Sequence, residues 1–569
     1  MKLPRSVPDL RRLTGVVRES GRLAEILRDP ARLEEALPGP VRRVELEGRS
    51  VAVLMRAGAL GGGPPHLMVQ TLSALRTYGA FGAAPRIAAL RHGERPAIAD
   101  DVGVITFDDF DDQINRLASA MRAMGLGEGS SVGILCRNSR MPLIVAFAAS
   151  RLGMNGIWLN TSFSARQAGE VAAREEIEFL IYDAELAEAA TDIDPRYGRL
   201  KTVTDDRAAD ELAQLIAGGD RTPPPAPSRP GRIVLLTSGT TGTPKGAPRP
   251  DPRSLTIPGA VLDRMPMRAK EVTVVAPPLF HGTGLLIALL TISLGSELVL
   301  RRHFDATQFL DDIEQHRASA ACVVPVMLQR VLALDADEIR KREIRGHLRI
   351  VFSAGSQLPA EVALKAMDLL GDVIYNLYGS TEVSVATLAT PADIRAAPTS
   401  VGKPALGARI KILDEKGHEL PQGQTGKIFV GTVSPFEGYT GGEQKEVIDG
   451  LMATGDVGHF DAEGRLYVDG RDDEMIVSGG ENAFPVEVEE LLMSHPAVED
   501  VAVIGVDDEE FGQRLKAFVV RRNGQEVSSE DLREFVRDNL ARYKVPREIE
   551  FLEELPRNPT GKILKRELS

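Results

Sequence analysis

From about residue 86 onward, short apolar runs alternate with longer segments whose apolar positions recur at helical spacing. Thr106 predicts an N-cap for a helix in which Phe110, Ile114, Leu117, Met121 and Met124 share one face, and Gly125 is placed to end it. Val132 to Cys136 then reads as a strand, Met141 to Leu152 as a helix, Gly156 to Leu159 as a strand, the stretch after Ser164 as a capped helix, and Phe179 to Tyr182 as a strand. The alternation predicts an α/β fold, a large domain of parallel and mixed sheets with covering helices, in which ligands gather at the carboxyl ends of strands. A Pro-rich stretch, Thr222 to Pro230, reads as a surface connector because a strand, Ile233 to Leu236, follows it and the alternation resumes.

Residues 1–85 are patterned differently. Helical periodicity shows in Leu23 to Leu37 and again around Leu67 to Tyr78, with a breaker, Gly61-Gly62-Gly63-Pro64-Pro65, between them. This segment holds 13 Lys and Arg against 8 Asp and Glu, while the whole chain carries a net charge of -13. A basic helical extension suits either an appendage packed on the main body, which mixed-sign faces favour, or contact with an anionic membrane surface. The longest apolar run, Leu285 to Leu294, is half of what a membrane span needs and reads as a buried helix, and Met1 to Leu13 has no apolar signal core.

A chain of 569 residues exceeds what one core usually holds, so at least two globular units are expected, and 43% hydrophobic content supplies a core for each. The negative balance argues against a nucleic-acid binder, which would present a basic surface to phosphates. Cys136 and Cys322, the only cysteines, lie in apolar runs; they read as small buried hydrophobes and suit a reducing cytoplasm rather than a disulfide framework.

Directly after the strand at Ile233 come Thr237, Ser238, Gly239, Thr240, Thr241, Gly242, Thr243, Pro244, Lys245 and Gly246. Three glycines let the backbone turn tightly and aim N–H groups at an anion, hydroxyls add donors and Lys245 adds charge, which together predict a phosphate-binding loop. It is not a Walker A loop: Pro244 stands where the second Gly belongs, and Gly246 where Ser or Thr would hold magnesium.

This loop resembles the signature of the adenylate-forming superfamily of acyl-CoA synthetases, adenylation domains and luciferases, and further segments from residue 86 to the C-terminus resemble that family in the same order. Tyr378-Gly379-Ser380-Thr381-Glu382, after an apolar strand at Val373 to Leu377, is similar to its second core motif. The resemblance implies that Tyr378 stacks on adenine, Thr381 contacts the α-phosphate and Glu382 holds Mg²⁺. Asn376 resembles the residue that meets the adenine amino group, and Gly355-Ser356-Gln357 the adenine-side loop. Asp456 and Arg471 resemble the ribose-binding carboxylate and its basic partner.

Gly470 to Asn482 resembles the family's domain boundary, with Asp473 as hinge, which gives a helical extension over 1–85, a large domain over 86–472 and a small mobile α+β lid over 473–569. Helices are expected in the lid near Val486 to Leu492 and Ser529 to Leu540. Pro556-Arg557-Asn558-Pro559-Thr560-Gly561-Lys562 matches the final family motif and makes Lys562 the catalytic lysine; Gly479 and Gly480 correspond to a CoA tunnel that opens when the lid swings.

The implied activity is that of a fatty-acid CoA ligase: ATP and a carboxylate give acyl-adenylate and pyrophosphate, then CoA gives acyl-CoA and AMP, with Mg²⁺ as cofactor. Catalytic residues would be Lys562, Thr381, Glu382 and His281, the last also a common type of structural His. An acyl pocket is expected from His281, Gly282, Val324, Gly379 and Val383. Gly379 stands where acetate-type relatives have a Trp, which leaves the pocket open for a medium or long chain. Peripheral membrane contact suits so apolar a substrate. Rival readings are a ligase handing the acyl group to an amine or a carrier protein, and a non-catalytic sensor, which would be expected to have lost Lys562, Glu382 or Thr381.

Overall fold

The computed structural model describes residues 39–60, 64–202, 209–237, 244–249, 254–432, 436, 438–440, 442, 444–478, 481–508, 512–559 and 561–568. The periodic stretch Leu23 to Leu37, the loop residues Ser238 to Thr243, and Gly479 and Gly480 lie outside them, as does Thr560.

The extension contributes two helices. Gly39–Ala57 packs on Thr256–Arg264, an approach that Gly259 permits, since a Cβ there would lie 2.6 Å from Ser50 Oγ. The second helix, Pro65–His92, kinks at Gly79 (φ 73°, ψ -177°). The kink ends the periodicity at Tyr78, as the sequence predicts, but the chain re-enters a helix at once and runs through residue 85, so the expected start of the large domain falls inside a helix.

That second helix is fastened to the body. Phe81 stacks on Phe147 with ring centroids 4.5 Å apart, and Tyr78 Oη donates to the Pro224 carbonyl at 2.6 Å. Arg151, fully buried, donates to the Gly82 carbonyl at 3.2 Å and to the side chains of Asn115 and Asp111. A buried guanidinium is tolerated because its donors and its charge are met on several sides.

Among the described residues the largest sheet has nine strands, in the order Lys403–Pro404, Ser384–Ala389, Ile374–Ser380, Ile350–Ser353, Ala320–Val323, Val272–Val275, Glu297–Leu300, Pro96–Asp100 and Gly103–Thr106. From Ile374–Ser380 to Pro96–Asp100 the strands run parallel, and antiparallel strands close both edges. A six-stranded sheet ends in an antiparallel pair, Ile233–Thr237 with Lys245–Arg249. A third, antiparallel sheet centres on Leu451–Phe460. The predicted caps are present: Thr106 accepts from the Asp109 N–H, and Ser164 forms a capping box with Gln167.

The C-terminal unit is α+β. Gly512–Arg521 pairs with Val498–Asp508 and Glu548–Leu552, and the helices Pro485–Met493 and Ser529–Asn539 cover the sheet over a core that includes Val488, Leu492, Val503 and Leu532. The run Leu285 to Leu294 lies in and just after the helix Gly282–Ser293, much of it buried. No helix among the described residues is long and apolar enough to cross a membrane. Burial pushes both thiols, Cys136 and Cys322, well up, as befits inert core groups.

Candidate active site

The parallel strands of the large sheet deliver their carboxyl ends to one place. Val272–Val275 leads to His281, Ala320–Val323 to Pro325 and Val326, Ile350–Ser353 to Gly355, and Ile374–Ser380 itself carries Asn376 and Tyr378; all line one cavity of about 1790 Å³. That is more than a single small-ligand pocket of roughly 300–1,000 Å³ and leaves room for two ligands end to end.

Antiparallel pairing sets Asp456 opposite Arg471. Tyr378 Oη donates to Asp456 Oδ2 at 2.6 Å, and Arg471 donates to Asp456 Oδ1 at 3.2 Å. Gly455 (φ 86°) makes room, since a Cβ there would stand 3.1 Å from the guanidinium. Burial, and next the Asp456 charge, push the Tyr378 hydroxyl well above its ordinary range, so it remains a donor. Asn376 Oδ1 is buried without a hydrogen-bond partner and lines the same cavity. An orphaned acceptor of this kind suits an amino group such as that of adenine.

Glu382 is a second carboxylate of the site. Ser380 Oγ donates to Oε2 at 2.7 Å and Tyr439 Oη donates to Oε1. Burial opposes ionisation, but the Lys445 charge and the hydrogen bonds from Tyr439 and Ser380 outweigh it and hold the carboxyl below the usual range. No cluster of three or more His, Cys, Asp or Glu that could hold a metal occurs among the described residues. A lone ionised carboxylate fits Mg²⁺, which typically takes one or two protein oxygens and fills its shell with substrate phosphates and water. Lys245 lines the same cavity, its Nζ 5.7 Å from the centroid of the Tyr439 ring, and begins the strand Lys245–Arg249 that pairs with Ile233–Thr237.

The C-terminal unit reaches this cavity through Asn558, Gly561 and Lys562. A tight turn holds them: the Gly561 N–H donates to the Asn558 carbonyl at 2.8 Å, and the Lys562 N–H donates to Asn558 Oδ1 at 2.9 Å. Gly561 (φ 78°) rests on Val326, where a Cβ would come within 2.3 Å of Cγ1. Gln357 Nε2 donates to Glu490 Oε1 at 2.7 Å, a second tie between the two units. Asp473 lies in the short 3-10 turn Asp472–Glu474 that joins them.

The family model of AMP-binding enzymes matches residues 86–440, and that of the AMP-binding enzyme C-terminal domain matches residues 487–562. The chain belongs to the AMP-binding enzymes. It is 33% identical to the indoleacetate–CoA ligase of Aromatoleum aromaticum, over 79% of this chain and 90% of the relative. It is 30% identical to ScoC, a fatty acid–[acyl-carrier-protein] ligase of Streptomyces coeruleorubidus, over 83% and 92% of the two chains. The crystal structure of ATP-bound MatB from Rhodopseudomonas palustris matches with a TM-score of 0.76 at 27% identity, covering 84% of this chain and 95% of that one.

In this AMP-binding enzyme His281 caps the helix Gly282–Ser293, its Nδ1 accepting the Thr283 N–H at 3.4 Å. Burial lowers its pKa to about 4, so the ring is neutral and the remaining proton sits on Nε2. Between about pH 6.5 and 4 the unfolded ring binds a proton that the folded ring refuses, so His281 makes the fold lose stability as pH falls through that window. A His281→Asn variant, which keeps a capping acceptor, should lose part of this slope in denaturation midpoints measured from pH 7 to 4; an unchanged slope would count against it.

Two expected acyl-pocket residues are corrected. Val383 faces away, into a core with Ala386, Ile412, Ile428 and Val430 beneath the sheet that carries Asp456. Val324 is fully buried in the core under the large sheet, between Gly355 and Gly561, and its neighbours Pro325 and Val326 line the cavity instead. Gly282, Gly355, Ser356, Thr381 and Gly379 do line it. Gly379 has a second reason to be glycine: at a break in register between its strand and Ser384–Ala389, a Cβ would lie 1.9 Å from the Ser384 carbonyl. The partners of Glu382, namely Ser380, Tyr439 and Lys445, went unpredicted. Tyr439 and Lys445 stand more than fifty residues downstream, where a Tyr and a Lys carry no local pattern.

Proposed function

We propose that this enzyme is an AMP-forming ligase that joins a medium- or long-chain fatty acid to CoA. Acyl-CoA synthetase chemistry with ATP follows from the family, and the finer reading, the aliphatic acid, rests on one observation. Past His281 the cavity continues along Leu285, Leu286 and Leu289 of the helix Gly282–Ser293, an apolar course suited to an alkyl chain. Each methylene buried there contributes about 0.8 kcal/mol, which makes chain length readable.

In this reading the carboxylate attacks the α-phosphorus of ATP in line, an acyl–phosphate bond forms and pyrophosphate leaves. Asp456 and Arg471 hold the ribose, Asn376 accepts from adenine, and Thr381 and Lys562 meet the charge that builds on the phosphate oxygens. Glu382 would hold Mg²⁺, which neutralises phosphate charge when bound. After the lid turns about Asp473 and takes Lys562 away, CoA thiolate attacks the activated carbonyl, the acyl–phosphate C–O bond breaks and AMP leaves.

A second reading is favoured by the relative that serves an acyl carrier protein: the same adenylate, with a carrier thiol as acceptor. Pyrophosphate release across straight-chain and aryl acids, with CoA or a carrier protein, followed by mass identification of the acyl product, decides between them. A thioester of CoA peaking at medium or long straight chains is the expected result, and a peak at aryl acids would overturn it.

A further inference from the structure

The family model begins at residue 86, yet the cavity does not stop at residues the family shares. Leu54 and Leu60 from the first extension helix and its end, and Leu75, Ala80 and Ala84 from the second, line the same cavity as His281 and Tyr378. We propose that the extension forms the far end of the acyl tunnel, so that acyl chain length is measured by residues outside the adenylating domain. This rests on the fatty-acid reading above and adds where selectivity resides.

The geometry comes from two helices facing each other. On Gly282–Ser293 and just beyond, Gly282, Leu285, Leu286, Leu289, Ser293 and Leu294 recur at helical spacing and all border the cavity. From Gly282 to Leu294 this face advances about 18 Å at about 1.5 Å per residue. An extended alkyl chain with bonds of about 1.5 Å at about 111° advances roughly 1.25 Å per carbon, so the face matches about 14 carbons. Across from it, the kinked extension helix presents Ala80, Ala84, Ile87 and Arg91, spaced by three or four residues, to the same space.

The wall is held in place independently of any ligand. Arg91 donates to the Ala59 carbonyl and so ties the second extension helix to the end of the first. Glu47 accepts the Leu255 N–H at 3.1 Å and ties the first to the body. Trp158, the chain's single tryptophan, is fully buried at this end of the cavity, and its Nε1–H has no partner. It is therefore a built-in reporter of what enters.

Ala84→Phe, which adds bulk to the extension wall, should weaken binding of the longest acids by about fourfold for each methylene excluded, while octanoate binds as before. Leu75→Ala, which removes bulk from the extension wall, should shift the preference toward longer chains. Binding is read on the full chain by Trp158 fluorescence over saturated acids of 6 to about 18 carbons, with acyl-CoA formation as the second readout and circular dichroism as the check on folding. If the wild type discriminates by length but both variants keep its profile, the extension does not measure the chain and this inference fails alone. If the wild type binds no straight-chain acid of any length, the fatty-acid reading fails, and this inference with it.

Discussion

Replacing Lys562 by alanine is expected to slow acyl-adenylate formation by about two to three orders of magnitude, the usual cost of deleting one preorganised transition-state donor. Thioester formation from supplied acyl-adenylate and CoA should stay close to wild type. The asymmetry follows from how the lysine is held. Its backbone is fixed by Asn558 in a turn seated against Val326 through Gly561, so its side chain enters the cavity only while that seat is occupied. A step that requires the lid to leave cannot use it. Single-turnover pyrophosphate release measures the first half-reaction and a chase with acyl-adenylate the second; equal losses in both would sink the two-state account.

Glu382→Gln should reduce adenylation by about 10²–10³-fold and raise the Mg²⁺ concentration needed for half-maximal rate. The substitution preserves shape and removes charge, and charge is what this environment maintains: Lys445, Tyr439 and Ser380 keep the carboxyl ionised against burial. The amide would leave Lys445 facing a neutral group and offer a weaker ligand to a hard cation. Pyrophosphate release titrated with Mg²⁺ checks it. A variant with wild-type rate and wild-type Mg²⁺ dependence would show that the metal is held elsewhere.

The residues read as the nucleotide end of the site come together in one cavity, and they were the easier part to find because they are packed into short segments. Tyr378 to Glu382 occupy one strand end, and Asp456 with Arg471 sit on neighbouring strands of one meander, so local pattern and resemblance both find them. The acyl end was harder to read, since it is assembled from elements far apart in the chain. Which of two valines flanking Pro325, Val324 or Val326, faces the cavity depends on how a strand hands over to the helix Pro325–Leu332, and no periodicity fixes that phase across the junction. Val383 shows the same difficulty at the turn after Ser380, where the alternation of the strand no longer applies. Strands and caps in the large domain fell close to their predicted places because apolar runs and capping residues there agree. The kink at Gly79 did not announce that a helix would resume after it.

The fastening of the second extension helix bears on how this chain can be cut. Residue 86, where the match to the family model starts, lies within that helix. A chain begun there would lose Phe81 from its stack on Phe147 and the Gly82 carbonyl from Arg151, which would then face water or an unmet donor in what had been the interior. The stretch that the family model matches and the stretch whose side chains pack into one core are thus different lengths of polypeptide. Truncations and fusions should be planned on the longer one.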